Sequence, residues 1–196
     1  GALCNDAVLE RDEDGDVRAV GDPTEGALVL AAARLGLDKA ELESTLSRIG
    51  EAPFDSDRKR MTTVHQVPDG LGQSPIKALA PWLEKAAAGQ ALAFTKGAID
   101  SVVDLSTRVW NDGNVVDMDD TWQQRIIEAH DQVAQQGMRV LGVAFRPVDR
   151  PVEDLDVEAE LENDLTFIGL VGMIDPPRVE VPEAVATCQS AGIRPV

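Results

Sequence analysis

Pro53-Phe54-Asp55-Ser56-Asp57-Arg58-Lys59-Arg60-Met61 sets one aromatic ring beside three consecutive cations, in a chain with only 4% aromatic residues. A flat apolar face next to positive charge suits a nucleotide, because a base can stack on the ring while the cations meet phosphates. The same residues also read as a strand-end phenylalanine followed by a solvated charge run. Three other groups have types that could join such a site. Glu25, in Gly21-Asp22-Pro23-Thr24-Glu25, stands at a helix start, where a fixed carboxylate could accept a hydrogen bond from an adenine amino group. Lys96, in Thr95-Lys96-Gly97-Ala98, ends a strand and could project into a cleft, and Gly97 would let backbone approach a ligand closely. Arg139 leads into an apolar strand, where a guanidinium is expensive to desolvate unless it meets a carboxylate or a phosphate.

The elements that must hold these residues follow from periodicity and punctuation. Asp22 or Thr24 can cap a helix over residues 23–35, with Pro23 tolerated in its first turn and Gly36 stopping it. A second helix is expected from about Asp38 to Ile49, with Leu42, Leu46 and Ile49 on one face. Phe54 opens a strand-like segment through Met61–Val67, in which His65 reads as a strand-face residue. Residues 70–90 look like an insertion with one or two helical turns around Trp82, and no chemistry is assigned to them. Ala91–Ala98 reads as a strand, Ile99–Val109 as the start of a helix, and Trp110–Asn114 as a turn. Asp119–Gln136 is the clearest amphipathic helix, with Trp122, Ile126, Ile127, His130 and Val133 at helical spacing and Gly137 closing it. Met138–Phe145 and Leu165–Ile174 read as buried strands, separated by an acidic loop or surface helix over 147–163. Pro182–Cys188 begins a further helix after the stiff Asp175-Pro176-Pro177-Arg178 connector.

Bulk properties bound the function. The 196 residues are enough to bury a substantial core, and 43% hydrophobic with 27% charged residues is ordinary globular composition. Eighteen Lys and Arg against 35 Asp and Glu give a net charge of −17, which argues against nucleic-acid or anionic-membrane partners. An anionic ligand therefore needs a local basic island. Cys4 and Cys188 lie far apart, and with only His65 and His130 available no zinc constellation is supported; a reducing setting is expected. Arg11-Asp12-Glu13-Asp14-Gly15-Asp16 superficially suggests a calcium loop. Val17 and Pro23 stand where its glycine and bidentate glutamate belong, so a hairpin turn is expected instead. No apolar run is long enough to span a bilayer, and the first residues show no leader pattern, so this piece is expected to be soluble.

Gly-Asp-Pro-Thr-Glu-Gly-Ala-Leu (21–28), Phe-Asp-Ser-Asp-Arg-Lys-Arg-Met (54–61), Lys-Gly-Ala (96–98), Met-Arg-Val-Leu (138–141) and Asp-Pro-Pro-Arg (175–178) occur in one order. With Ala-Leu-Cys-Asn-Asp (2–6), they resemble the nucleotide-binding domain of P-type cation-transporting ATPases, in particular the calcium-pump branch. The resemblance implies an α/β (α+β) fold: a twisted, mainly antiparallel sheet flanked by helices, inserted into a phosphorylation domain. It places the domain at residues 1–178, with 179–196 beginning the phosphorylation domain. It also implies roles: Phe54 stacks on adenine, Glu25 accepts from the adenine amino group, Lys96 and Gly97 line the base pocket, Lys59 adds to it, and Arg139 reaches the phosphates. Asp22 and Thr24 shape the Glu25 loop, and Asp175, Pro176, Pro177 and Arg178 form the hinge.

The implied ligand is ATP, as Mg-ATP in the full-length protein. The implied partners are the phosphorylation, actuator and transmembrane domains of a pump at the cytoplasmic face of a membrane, with the fragment itself monomeric. Ser56 stands where calcium pumps often carry an arginine, and Ile99-Asp100 replaces the usual Pro-Glu. The Asp-Lys-Thr-Gly-Thr phosphorylation segment and a metal-binding loop are absent from these residues, so no catalytic residue is assigned, and binding of ATP without hydrolysis is expected. Stacking plus a few polar contacts near about 4 to 5 kcal/mol corresponds to a roughly millimolar dissociation constant. The alternative from another class is an acidic interaction module on this fold that no longer binds nucleotide.

Overall fold

Two short antiparallel strands, β1 (Val8–Arg11) and β2 (Val17–Val20), pair from Val8↔Val20 to Arg11↔Val17. The expected hairpin turn between them lies outside the described residues, which in this computed structural model are 1–11, 17–68, 91–149, 156–175 and 180–194. Helix α1 (Pro23–Arg34) follows, and Asp22 rather than Thr24 is its cap: Asp22 Oδ1 accepts from the amides of Thr24 (2.8 Å) and Glu25 (3.2 Å). The helix stops at Gly36, whose φ of +77° lets the amides of Gly36 and Leu37 return to the carbonyls of Ala33 and Ala32.

The main sheet of the described residues is built from β3 (Arg48–Asp55), β4 (Arg60–Gln66), β5 (Ala91–Gly97), β6 (Ser106–Asn111), β7 (Asn114–Asp117), β8 (Arg139–Val148) and β9 (Leu165–Met173). Its seven strands lie in the order β3-β4-β5-β8-β9-β6-β7. Every pair is antiparallel except β6 with β9. The expected mainly antiparallel sheet flanked by helices is therefore the fold.

Because successive strand residues face opposite ways, the paired positions sort into two layers. Met61↔Lys96, Thr63↔Phe94 and His65↔Leu92 share one face; Thr62↔Thr95 and Val64↔Ala93 share the other. On the first face Leu3, Cys4, Leu92, Phe94 and Phe145 pack with Leu42 and Leu46 at the end of α2 (Lys39–Thr45). On the second, Ile99, Val102 and Val103 of α3 (Ile99–Asp104) and Ile126 of α4 (Asp120–Ala134) cover Ala144 and Phe167. A π-helical turn at Val157–Leu161 covers Val64, Ala93 and Val148 on that same face. Helix α5 (Val181–Ser190) buries none of its residues. No helix among the described residues is long and apolar enough to cross a membrane.

The structure corrects three boundaries. The expected helix through Ile49 ends at Thr45, and Arg48–Asp55 joins the sheet edge as β3, because backbone pairing to β4 outweighs the apolar spacing of Leu42, Leu46 and Ile49. Phe54 thus lies near the end of one strand rather than opening the next. The helix expected over 99–109 stops at Asp104, since Ser-Thr-Arg-Val-Trp (106–110) is rich in residues that suit a pleated surface. The turn expected over 110–114 contracts to Asp112-Gly113, with φ of +46° and +84° in a two-residue hairpin. The 70–90 insertion lies outside the described residues.

His65 is fully buried on β4, its Nδ1 donating to Leu46 O (2.8 Å) and its ring 5.7 Å edge-on from Phe94. Burial pulls its pKa below the ordinary histidine value, with the Arg48 charge acting in the same sense against the Leu46 carbonyl and Glu43. The unfolded chain therefore takes up this proton first, so the contribution of His65 to stability is intact above about pH 6.5 and is lost as pH falls from there through the folded-state value. Unfolding free energies from urea titrations between pH 7.5 and 5 should fall more steeply for the natural chain than for His65→Gln, by at most about 1.4 kcal/mol per pH unit.

Candidate nucleotide-binding cleft

Between α1 and the ends of β3, β4, β5 and β8 lies a cleft of about 440 Å³. All six residues singled out from the sequence, Glu25, Phe54, Lys59, Lys96, Gly97 and Arg139, line it. The β3–β4 hairpin carries the ring: Phe54 is 64% exposed, so it is held outside the core by the loop and not by packing. Asp55 Oδ1 accepts from the amides of Asp57 and Arg58 (both 2.9 Å), and these bonds, Arg58's first, keep the Asp55 carboxyl below the usual carboxylate range. Lys59 closes the turn with a φ of +55°, its amide donating to Asp55 O (2.7 Å) and its carbonyl accepting from Ala98 N (3.0 Å).

Lys96, 6% exposed, is the buried cation of the site, and its ammonium is ion-paired with Glu25 Oε1. Glu25 Oε2 accepts from the Asp6 amide (3.0 Å), while Asn5 Nδ2 donates to the Glu25 carbonyl (3.0 Å). The Glu25 carboxylate is thus fixed from two sides and still has lone pairs free for an exocyclic amine, as an acceptor with about four sites allows. Asp22, capping the helix, is held below the usual carboxylate range by the Glu25 amide first, then by Thr24 and the nearby Arg139 charge. Arg139 donates to Thr24 Oγ1 (2.8 Å), a neutral partner, and forms no ion pair among the described residues. It also lines a neighbouring cleft with Asp22, Thr24 and Asp175, so it stands between the ring-bearing cleft and the exposed end of β9.

The structure departs from the sequence expectation on the basic run. Of its three cations only Lys59 faces the cleft; Arg58 and Arg60 turn to the other face of the sheet and meet the buried carboxylate of Glu162. The close approach that Gly97 permits is also to the protein itself, because a Cβ there would stand 2.6 Å from Lys59 O and from Arg60 Cβ. Of the expected hinge, Asp175 is exposed just past β9, and Pro176, Pro177 and Arg178 lie outside the described residues. Among the described residues no group of three or more His, Cys, Asp or Glu could hold a metal ion, and Cys4 and Cys188 are free thiols.

The sequence profile of the family described as P-type ATPase, cytoplasmic domain N matches residues 1–180. The chain belongs to this N-domain family. It is 37% identical over 194 residues to calcium-transporting ATPase 1 of Bacillus cereus, covering 99% of the chain and 19% of that protein. It is 38% identical over 194 residues to cation-transporting ATPase pma1 of Synechocystis, with 98% and 19% covered, and 36% identical over 196 residues to a calcium-transporting ATPase of Bacillus subtilis, with 100% and 20% covered. The N domain therefore spans about a fifth of the relatives it matches.

Sequence reasoning missed three residues of this N-domain cleft: Asp6, Met61 and Leu141. Each stands inside or beside a motif already noted, and strand alternation would have put Met61 on the cleft side once Lys96 was placed there. Glu162 could not have been found that way, because its partners lie 100 or more residues earlier. Gly97→Ala should lower stability by about 1 to 3 kcal/mol in urea unfolding, as expected of an overpacked site, and shift the Lys59 and Arg60 amide resonances most.

Proposed function

We propose that this N domain binds ATP in the cleft between Phe54 and the Glu25–Lys96 pair, and delivers it to a phosphorylation domain elsewhere in a cation pump. The observation that carries this reading is the convergence of an exposed ring, a fixed carboxylate and two accessible cations, Lys59 and Arg139, on one cleft. Its volume of about 440 Å³ falls within the roughly 300 to 1,000 Å³ of small-molecule sites. Phe54 stacks on the adenine, and Glu25 accepts from its amino group. Lys96 pins that carboxylate and lines the base pocket, while Lys59 and Arg139 face the phosphates.

The names of the relatives favour calcium or another cation as cargo, and the family description favours the cytoplasmic side of a membrane; phosphorylation, actuator and transmembrane domains are the partners that the family resemblance implies. We place the domain boundary between 178 and 179, with 179–196 opening the phosphorylation domain and 175–178 as the hinge; in support, no residue of α5 is buried. In the whole pump the nucleotide arrives as Mg-ATP, and the magnesium spreads phosphate charge during transfer. Within this chain the residues bind and orient; the Asp-Lys-Thr-Gly-Thr segment that would carry the phosphorylated aspartate is not among them, so binding without hydrolysis is expected of the lone domain. Weak binding suits the role, since the domain must release what it delivers.

Amide-shift titrations with ATP, AMP and GTP test this. ATP and AMP should perturb Glu25, Phe54 and Lys96 alike with millimolar dissociation constants, and GTP should do less because its keto oxygen cannot donate to Glu25. Phe54→Ala should keep the fold and lose about 1 to 3 kcal/mol of affinity, the usual value of one stacked base. No perturbation at millimolar ATP would favour the interaction-module alternative.

A further inference from the structure

Behind the cleft, on the opposite face of the sheet, the Glu162 side chain is fully buried. Its Oε2 accepts from Arg58 Nη1 (2.5 Å) and Arg60 Nε (2.7 Å), and its Oε1 accepts from Thr62 Oγ1 (2.8 Å). Arg58 in turn donates from Nη2 to the carbonyl of Pro53 (2.6 Å), the residue before the ring. Arg60 Nη1 donates to Arg58 O (3.1 Å) and Ser101 Oγ (3.0 Å), and Ser101 Oγ donates to the same Arg58 carbonyl (2.9 Å). Through Arg58, which reaches back to Pro53, one carboxylate is thereby tied to both strands of the hairpin that bears Phe54 and Lys59.

We propose that Glu162 is a positioning residue of the nucleotide cleft, fixing Phe54 and Lys59 from behind without touching the ligand; this rests on the nucleotide reading above. Two observations require such a device. Phe54 has no core to hold it, at 64% exposure, and Lys59 keeps a left-handed backbone that a residue with a side chain adopts only when its surroundings impose it. A buried carboxylate is costly unless it is paired and hydrogen-bonded, and Glu162 meets that cost through the guanidinium groups of Arg58 in the loop and Arg60 at the start of β4. Loop geometry and burial of the charge are therefore one event. A ring held ready spares the ligand the ordering cost that a mobile loop would impose.

The test is the affinity of the full chain for ATP, measured by amide-shift titration of the natural chain, Glu162→Gln, Arg58→Lys and Asp164→Asn. Asp164 joins Thr107 and Arg108 in a more exposed side-chain clip away from the cleft, so its variant controls for the general effect of removing a carboxylate charge from this part of the chain. Glu162→Gln should weaken ATP binding about three- to tenfold, as when the competent loop fraction falls in that proportion. Without ligand it should also shift the amides of residues 54–60 and leave those of Thr24 and Glu25 in place. Arg58→Lys should give a smaller loss of the same kind and serves if Glu162→Gln does not fold; Asp164→Asn should bind ATP as the natural chain does. Folded Glu162→Gln and Arg58→Lys that bind like the natural chain, or an equal loss in Asp164→Asn, would overturn the positioning role and leave the nucleotide reading standing. Absence of ATP binding by the natural chain would remove the nucleotide reading and this role with it.

Discussion

Along β4, successive side chains leave the sheet on opposite faces, so Arg60 and Thr62 reach the buried Glu162 on one side while Met61 turns to the cleft on the other. The same alternation along β5 sends Lys96 to the cleft and Thr95 to the Glu162 side, where its hydroxyl lies 2.9 Å from that of Thr62. The single layer of the sheet at β4 and β5 therefore separates two charge arrangements on its opposite faces: a buried anion with two guanidinium groups, and a cleft with a paired lysine and carboxylate. Neither would hold in a one-residue register slip, which would exchange the faces. Gly97 keeps the register tight where the two meet, since only a residue without a Cβ lets the Lys59–Arg60 backbone approach β5 so closely.

Net charge sharpens this division. A chain at −17 repels an anionic ligand at long range, and it reserves two of three adjacent cations for its own interior. What remains at the cleft is Lys59, loosely paired with Asp100 at 3.4 Å, and Arg139, bonded to a hydroxyl. On the proposed function, such a surface would hold phosphate weakly and leave the base to supply most of the contact, as suits a domain that hands its ligand on.

Much of this was legible in the residues alone. The capped helix start at Asp22, the strand ending at Lys96-Gly97 and the helix from Asp120 follow from local chemistry, and the order of short motifs gave the family. The β3 strand was not legible, because Leu42, Leu46 and Ile49 fit a helical face as well as any helix does, and only the open edge of β4 decides otherwise. Arg58 and Arg60 were misread for a related reason. A run of cations looks uniform in sequence, whereas pleating and a carboxylate a hundred residues away assign each member its own side.

The central claim is that the exposed ring at 54 carries the base of an adenine nucleotide. Intermolecular nuclear Overhauser effects between ATP and the domain measure this directly. Adenine H2 and H8 should show contacts to the Phe54 ring protons and to the Met61 methyl group. Contacts confined to the cleft lined by Arg108, Arg146 and Asp149 near the far end of the sheet, with none at Phe54, would contradict it.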